Sequence, residues 1–225
     1  MYFLKNKLKT VMKNKKRIKH NLNLLSVSLM GVCLLTFLLS GCKNNALVKE
    51  DVPELITKAN LTFTPSGGGN VIAVTATDPD GEGVQDISVD GPINLNADET
   101  YILTLSLINE LAEATDPEYD ITEEVEAEGD EHMFFFSWTN NVFADPSGDG
   151  NIDNRSDPVN YTGGSNSVDV NNRPLGLTTT WITANGSSNG TFRVLLKHQP
   201  ELKTDTSNSN IGETDLDITF TINIL

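Results

Sequence analysis

Downstream of Asn60 the chain is a series of short runs in which apolar and polar residues alternate with a period of two. Asn60-Leu-Thr-Phe-Thr64 alternates strictly. Residues 71–77, 100–108, 132–138, 177–183, 191–198 and 216–224 are further runs rich in β-branched and aromatic residues. Such a period puts successive side chains on opposite faces of a strand, and the intervening Ser66-Gly-Gly-Gly69 and Asp78-Pro-Asp-Gly81 read as turns. Together they predict an all-β fold, an Ig-like antiparallel β-sandwich over residues 58–225. Asn185-Gly186 and Asn189-Gly190 predict a hairpin between the runs at 177 and 191. One segment departs from period two. Asp120-Ile-Thr-Glu-Glu-Val-Glu-Ala-Glu-Gly129 predicts one short acidic helix, with Asp120 as N-cap, Glu123 completing a capping box and Gly129 just past the C-terminus. At helical spacing Ile121 and Val125 share one face, and Glu124 and Glu128 share another.

The N-terminus follows another grammar. Eight Lys/Arg and no acid fall in the first twenty residues, and an apolar run from Leu24 to Leu39 follows, broken only by Ser26, Ser28, Gly31 and Thr36. A basic segment ahead of a short apolar one reads as a secretory signal, and the run falls short of the roughly 20 residues a membrane-spanning helix needs. Leu39-Ser40-Gly41-Cys42 resembles a lipobox, the site at which a signal is cut before a diacylated cysteine. The expected organisation is a lipoprotein signal peptide over 1–41, a lipidated tether over 42–57 carrying its lipid on Cys42, and the sandwich over 58–225. The competing reading is an uncleaved anchor with an incidental cysteine. Initiation at Met12 leaves the lipobox intact.

Cleavage changes the charge. All 31 Asp/Glu and only eight Lys/Arg follow Cys42, so the formal net charge moves from −15 for the whole chain to 8 − 31 = −23 for the mature one. A field of that sign disfavours nucleic acid and attracts cations. Cys33 leaves with the signal and Cys42 carries lipid, which excludes a cysteine nucleophile and a thiolate metal site. No nucleophile elbow, His-Glu-x-x-His, P-loop or dinucleotide-binding glycine pattern occurs, so the expectation is a non-enzymatic protein.

Two constellations point to cation chemistry. Eleven carboxylates and no base lie between Glu110 and Glu131, and His132 follows directly. His132 opens one predicted strand and His198 closes another. Antiparallel pairing of the two would bring both imidazoles to one sheet end at cross-strand distance, about 4.5–5.5 Å between Cβ atoms. The acidic helix ends there too, which makes Glu124, Glu128, Asp130, Glu131, His132 and His198 the candidate ligands. Imidazoles with carboxylates suit zinc foremost, copper or nickel next. The alternative is a solvated acidic face with polar strand ends. The second constellation is a partial calcium loop: Asp145, Ser147, Asp149, Asn151 and Asp153 fall at ligand positions 1, 3, 5, 7 and 9, with Gly150 at position 6. Position 12 is Ser156 rather than the usual Glu, so the expectation is weak calcium binding or a polar turn.

The segments Asp120–Phe136, Asn172-Arg-Pro-Leu-Gly-Leu177, Val194-Leu-Leu-Lys-His-Gln-Pro200 and Gly212-Glu-Thr-Asp-Leu216 resemble those of small Bacteroidota lipoproteins encoded beside TonB-dependent outer-membrane receptors. The likeness covers most of residues 58–224, and Asn151–Ser167 looks like an insertion relative to it. That group is generically labelled "type 1 periplasmic binding fold", which requires alternating βαβ units that the strand pattern lacks. The resemblance implies a lipid-anchored outer-membrane location and a TonB-dependent receptor as partner. The leading functional expectation is an accessory that captures a divalent metal or metal complex for that receptor. The competing class is a structural or protein-interaction module with no small ligand.

Overall fold

The computed structural model describes residues 54–81, 87–148, 150 and 158–225. Cys42, the signal segment, Asp149, Asn151 and Asp153 lie outside these. Among the described residues ten strands form two sheets. In chain order they are β1 (Lys58–Pro65), β2 (Ile72–Thr77), β3 (Ser88–Val89), β4 (Ile93–Leu95), β5 (Thr100–Ile108), β6 (His132–Trp138), β7 (Phe143–Asp145), β8 (Thr178–Thr183), β9 (Ser188–His198) and β10 (Glu213–Ile224). A single α-helix, α1 (Ile121–Ala127), lies between β5 and β6. One sheet runs β3-β2-β1-β5-β8-β7, the other β4-β10-β9-β6. All pairings are antiparallel except β4 with β10. The expected antiparallel β-sandwich is the fold.

The alternation explains the packing. Ala59, Leu61 and Phe63 of β1, Tyr101, Leu103, Leu105 and Leu107 of β5, and Leu216, Ile218, Phe220, Ile222 and Ile224 of β10 are all buried, with polar residues between them. Their apolar faces meet in one core, whose centre is aromatic: Trp181 lies 4.6 Å from Phe143, 5.1 Å from Phe192, 5.2 Å from Trp138 and 5.5 Å from Phe136, ring centroid to centroid. β6 is buried on both faces, because Met133 and Phe135 form a second small cluster with Leu195 and Tyr161 on its outer side.

Two expectations require correction. β8 and β9 do not form a hairpin. They belong to different sheets, and the Asn-Gly pairs lie on a connection that crosses between them. Asn189 and Gly190 continue β9, where they pair with Asn223 and Ile222 of β10, so a long partner strand captures what reads locally as turn chemistry. The packed part of the chain also begins before Lys58. Ile56 and Thr57 are buried, and the Thr57 N–H donates to Ile108 O at 3.0 Å.

Candidate metal centre

The site is built where β6 begins and β9 ends. The two strands pair antiparallel in the register His132↔His198, then Phe134↔Leu196, Phe136↔Val194 and Trp138↔Phe192. The apolar residues of both strands must face the core, so their phase sends both histidines to the same face. The rings stack with centroids 4.5 Å apart and planes within 4°. Both residues are buried, His132 completely.

α1 supplies the carboxylates. Asp120 caps it, accepting from Thr122 N at 3.0 Å rather than from Glu123, and Ile121 and Val125 bury its apolar face. Seven residues are too few for a stable isolated helix, so this packing holds α1 in place. The helix stops at Glu128, whose carbonyl accepts from Glu131 N (2.8 Å), His132 N (3.2 Å) and the His132 ring Nδ1 (3.1 Å). A carbonyl only accepts, so Nδ1 carries the proton and Nε2 keeps its lone pair. That is the arrangement by which an outer hydrogen bond orients a metal-binding imidazole. Glu128, His132 and His198 offer one ligand atom each within 4.8 Å of one another, and Glu54, Glu124 and Glu128 form a second such group. Glu128 belongs to both.

Of the expected ligands, Glu124, Glu128, His132 and His198 therefore converge. Glu131 is at the rim, with Oε2 3.5 Å from His198 Nε2 and its side chain 37% exposed. Asp130 is exposed and belongs to neither group; its charge acts on Lys203 instead. Two acids absent from the expectation enter the site. Glu54, assigned to the tether, places Oε1 3.7 Å from His132 Nε2, and Asp215 places Oδ2 3.9 Å from the same atom. The Asp215 side chain is fully buried, and neither oxygen accepts a hydrogen bond of ordinary geometry. Burial pushes this carboxyl up to about 7, with the Glu54 charge adding to the rise and His198 and Lys197 opposing it. Alternation along β10 predicts an outward Asp215. The β9–β10 register shifts between Thr214 and Leu216, and this bulge re-aims the extra residue into the site. Gly212 makes the approach feasible: its φ is +79°, and a Cβ there would fall 2.0 Å from His198 O.

A buried ion pair braces the arrangement. Lys203 and Asp169, both fully buried in their side chains, meet at 3.0 Å. Lys203 also donates to Gly129 O (2.6 Å) and His132 O (2.7 Å), pinning the end of α1 and the start of β6 together. Burial lowers the Lys203 pKa, partly offset by Asp169. For Asp169 burial acts upward, but the backbone donors Arg173 and Asn171, together with Lys203, overcome it and hold the carboxyl below its usual value.

Tetrahedral bonds of 2.0–2.1 Å put donor atoms about 3.4 Å apart, so ligation by Glu128, His132 and His198 requires a contraction by side-chain rotation. The donor set fits a borderline divalent ion: two imidazoles, one of them oriented by a backbone carbonyl, with carboxylates beside them.

In the partial calcium loop, Asp145 ends β7 opposite Ile182. The left-handed glycine is Gly148 (φ +81°), and Gly150 is needed for packing, since a Cβ there would meet the Trp138 ring at 2.4 Å. Trp138 takes up both glycine carbonyls, through Nε1 to Gly148 O at 2.8 Å and its backbone N–H to Gly150 O at 3.0 Å. Among the described residues no helix is long and apolar enough to cross a membrane. In comparison with known proteins, no family model, no curated protein and no solved structure matches the chain.

Proposed function

We propose that this chain is a lipid-anchored, non-enzymatic protein that captures a divalent metal ion, zinc foremost, or a small complex of one. The observation that carries the reading is the His132–His198 pair, stacked at 4.5 Å and joined by Glu128 within ligand-atom reach. The mature charge of 8 − 31 = −23 supports it by drawing cations to the domain. The lipobox-like Leu39-Ser40-Gly41-Cys42 supports anchorage through Cys42 at the outer membrane. The resemblance to lipoproteins encoded beside TonB-dependent receptors supports delivery to such a receptor as the purpose of capture. Zinc titration of the full chain in detergent, against a His132→Ala/His198→Ala variant, tests the metal step. Tight binding by the wild type and loss of at least tenfold in affinity by the variant is the expected result. Equal, weak binding by both would reject it in favour of a docking module with no small ligand.

A further inference from the structure

The two ligand groups share one residue. Glu128 joins His132 and His198 on one side and Glu54 and Glu124 on the other, each set of ligand atoms lying within 4.8 Å. A carboxylate has two oxygens and can hold one ion on each. Asp215 is a second, independent sign of a cation: a fully buried carboxylate, 3.9 Å from His132 Nε2, accepting no hydrogen bond of ordinary geometry from the protein. Glu54 is nearly as deep, its side chain 7% exposed.

Charge completes the case. Glu54, Glu124, Glu128 and Asp215 bring four negative charges to neutral imidazoles. The nearest ammonium acting on Asp215 is that of Lys197, which donates to Thr214 Oγ1 at 2.9 Å. One divalent ion leaves two of these charges uncompensated in a largely buried site, whereas two ions leave none. Four carboxylates with two imidazoles is also the donor composition of carboxylate-bridged centres, whose ions lie about 3.5–4 Å apart.

We infer that the site binds two divalent ions, one on His132 and His198, the other on Glu54 and Glu124, with Glu128 bridging them and Asp215 completing the shell. This rests on the metal-binding reading above and deepens it. Imidazoles suit zinc, whereas the all-oxygen half also suits a harder ion such as manganese.

The test is ion stoichiometry of the full chain in detergent, loaded with zinc alone or manganese alone and gel-filtered against a mild chelator. Two zinc ions per chain are expected for the wild type and one for Glu124→Gln. Glu54→Gln serves as a second variant, and circular dichroism confirms folding of each. Two bound manganese ions should give an exchange-coupled paramagnetic spectrum in place of the isolated six-line signal. One ion in the wild type overturns the paired centre and leaves the single-ion reading standing; no ion overturns both. Two ions retained by both variants, or an uncoupled six-line spectrum with two ions bound, also overturn the bridge.

Discussion

Asp215 costs the fold stability. Its side chain is fully buried and its pKa rises from 3.8 to about 7. Between those values the folded chain holds a proton that the unfolded chain has released, so stability falls as pH rises through this window and the penalty is complete above about pH 7. At about 1.4 kcal/mol per pKa unit the ceiling is about 4 kcal/mol. With chelator present, Asp215→Asn should therefore raise the denaturant midpoint at pH 8, by the equivalent of about 1–3 kcal/mol, and leave it unchanged near pH 4. The same variant should bind zinc less tightly. A variant destabilised at pH 8 would contradict burial as the cause of the shift. Asp169 has the opposite sign. Its lowered pKa contributes stability above the unfolded value of 3.8, lost as pH falls through the lower folded value. Asp169→Asn strips a partner from Lys203 and should cost about 3 kcal/mol at pH 7 in urea unfolding, as broken buried pairs do. That difference should shrink below pH 3.8.

At the scale of elements, what was legible depended on whether local pattern and tertiary pairing agree. The β6–β9 register follows from core phase alone, because Phe134, Phe136 and Trp138 on one strand and Phe192, Val194 and Leu196 on the other must face inward. Hence His132 and His198 could be paired in advance. Asp215 could not, because only the bulge between Thr214 and Leu216 turns it inward, and a bulge leaves no mark in an alternating pattern. Glu54 precedes the first periodic residue and carried no signal at all. The β8–β9 connection was misread because Asn-Gly pairs specify a turn locally, while β10 offers the flanking residues eleven cross-strand partners. α1 was legible from its cap and its Ile121/Val125 spacing, and its marginal length gives a prediction. Asp120→Ala removes the bond to Thr122 N and should cost about 1 kcal/mol. Because α1 carries Glu124 and Glu128, zinc affinity should fall with it. If affinity is unchanged while the helix is destabilised, α1 does not supply ligands.

For the molecule as a whole, capture and folding are one equilibrium. Glu54 comes from the segment before β1, Glu124 and Glu128 from α1, His132 from β6, His198 from β9 and Asp215 from β10, so the site exists only when the sandwich is assembled. An ion bound there must stabilise the fold, by RT ln(1 + [L]/Kd), or about 2.7 kcal/mol at a hundredfold excess over Kd. A domain of this size gains roughly 2–4 °C per kcal/mol. Saturating zinc should therefore raise the melting temperature of the full chain by about 5–10 °C, chelator should reverse the rise, and His132→Ala/His198→Ala should abolish it. The acidic surface supplies the control. Diffuse attraction to the −23 mature charge is screened by salt, whereas ligation in a buried site is not. A shift that survives 0.5 M potassium chloride belongs to the histidine site. One that disappears in salt and persists in the double variant belongs to the surface, and the domain's purpose then lies in docking rather than in capture.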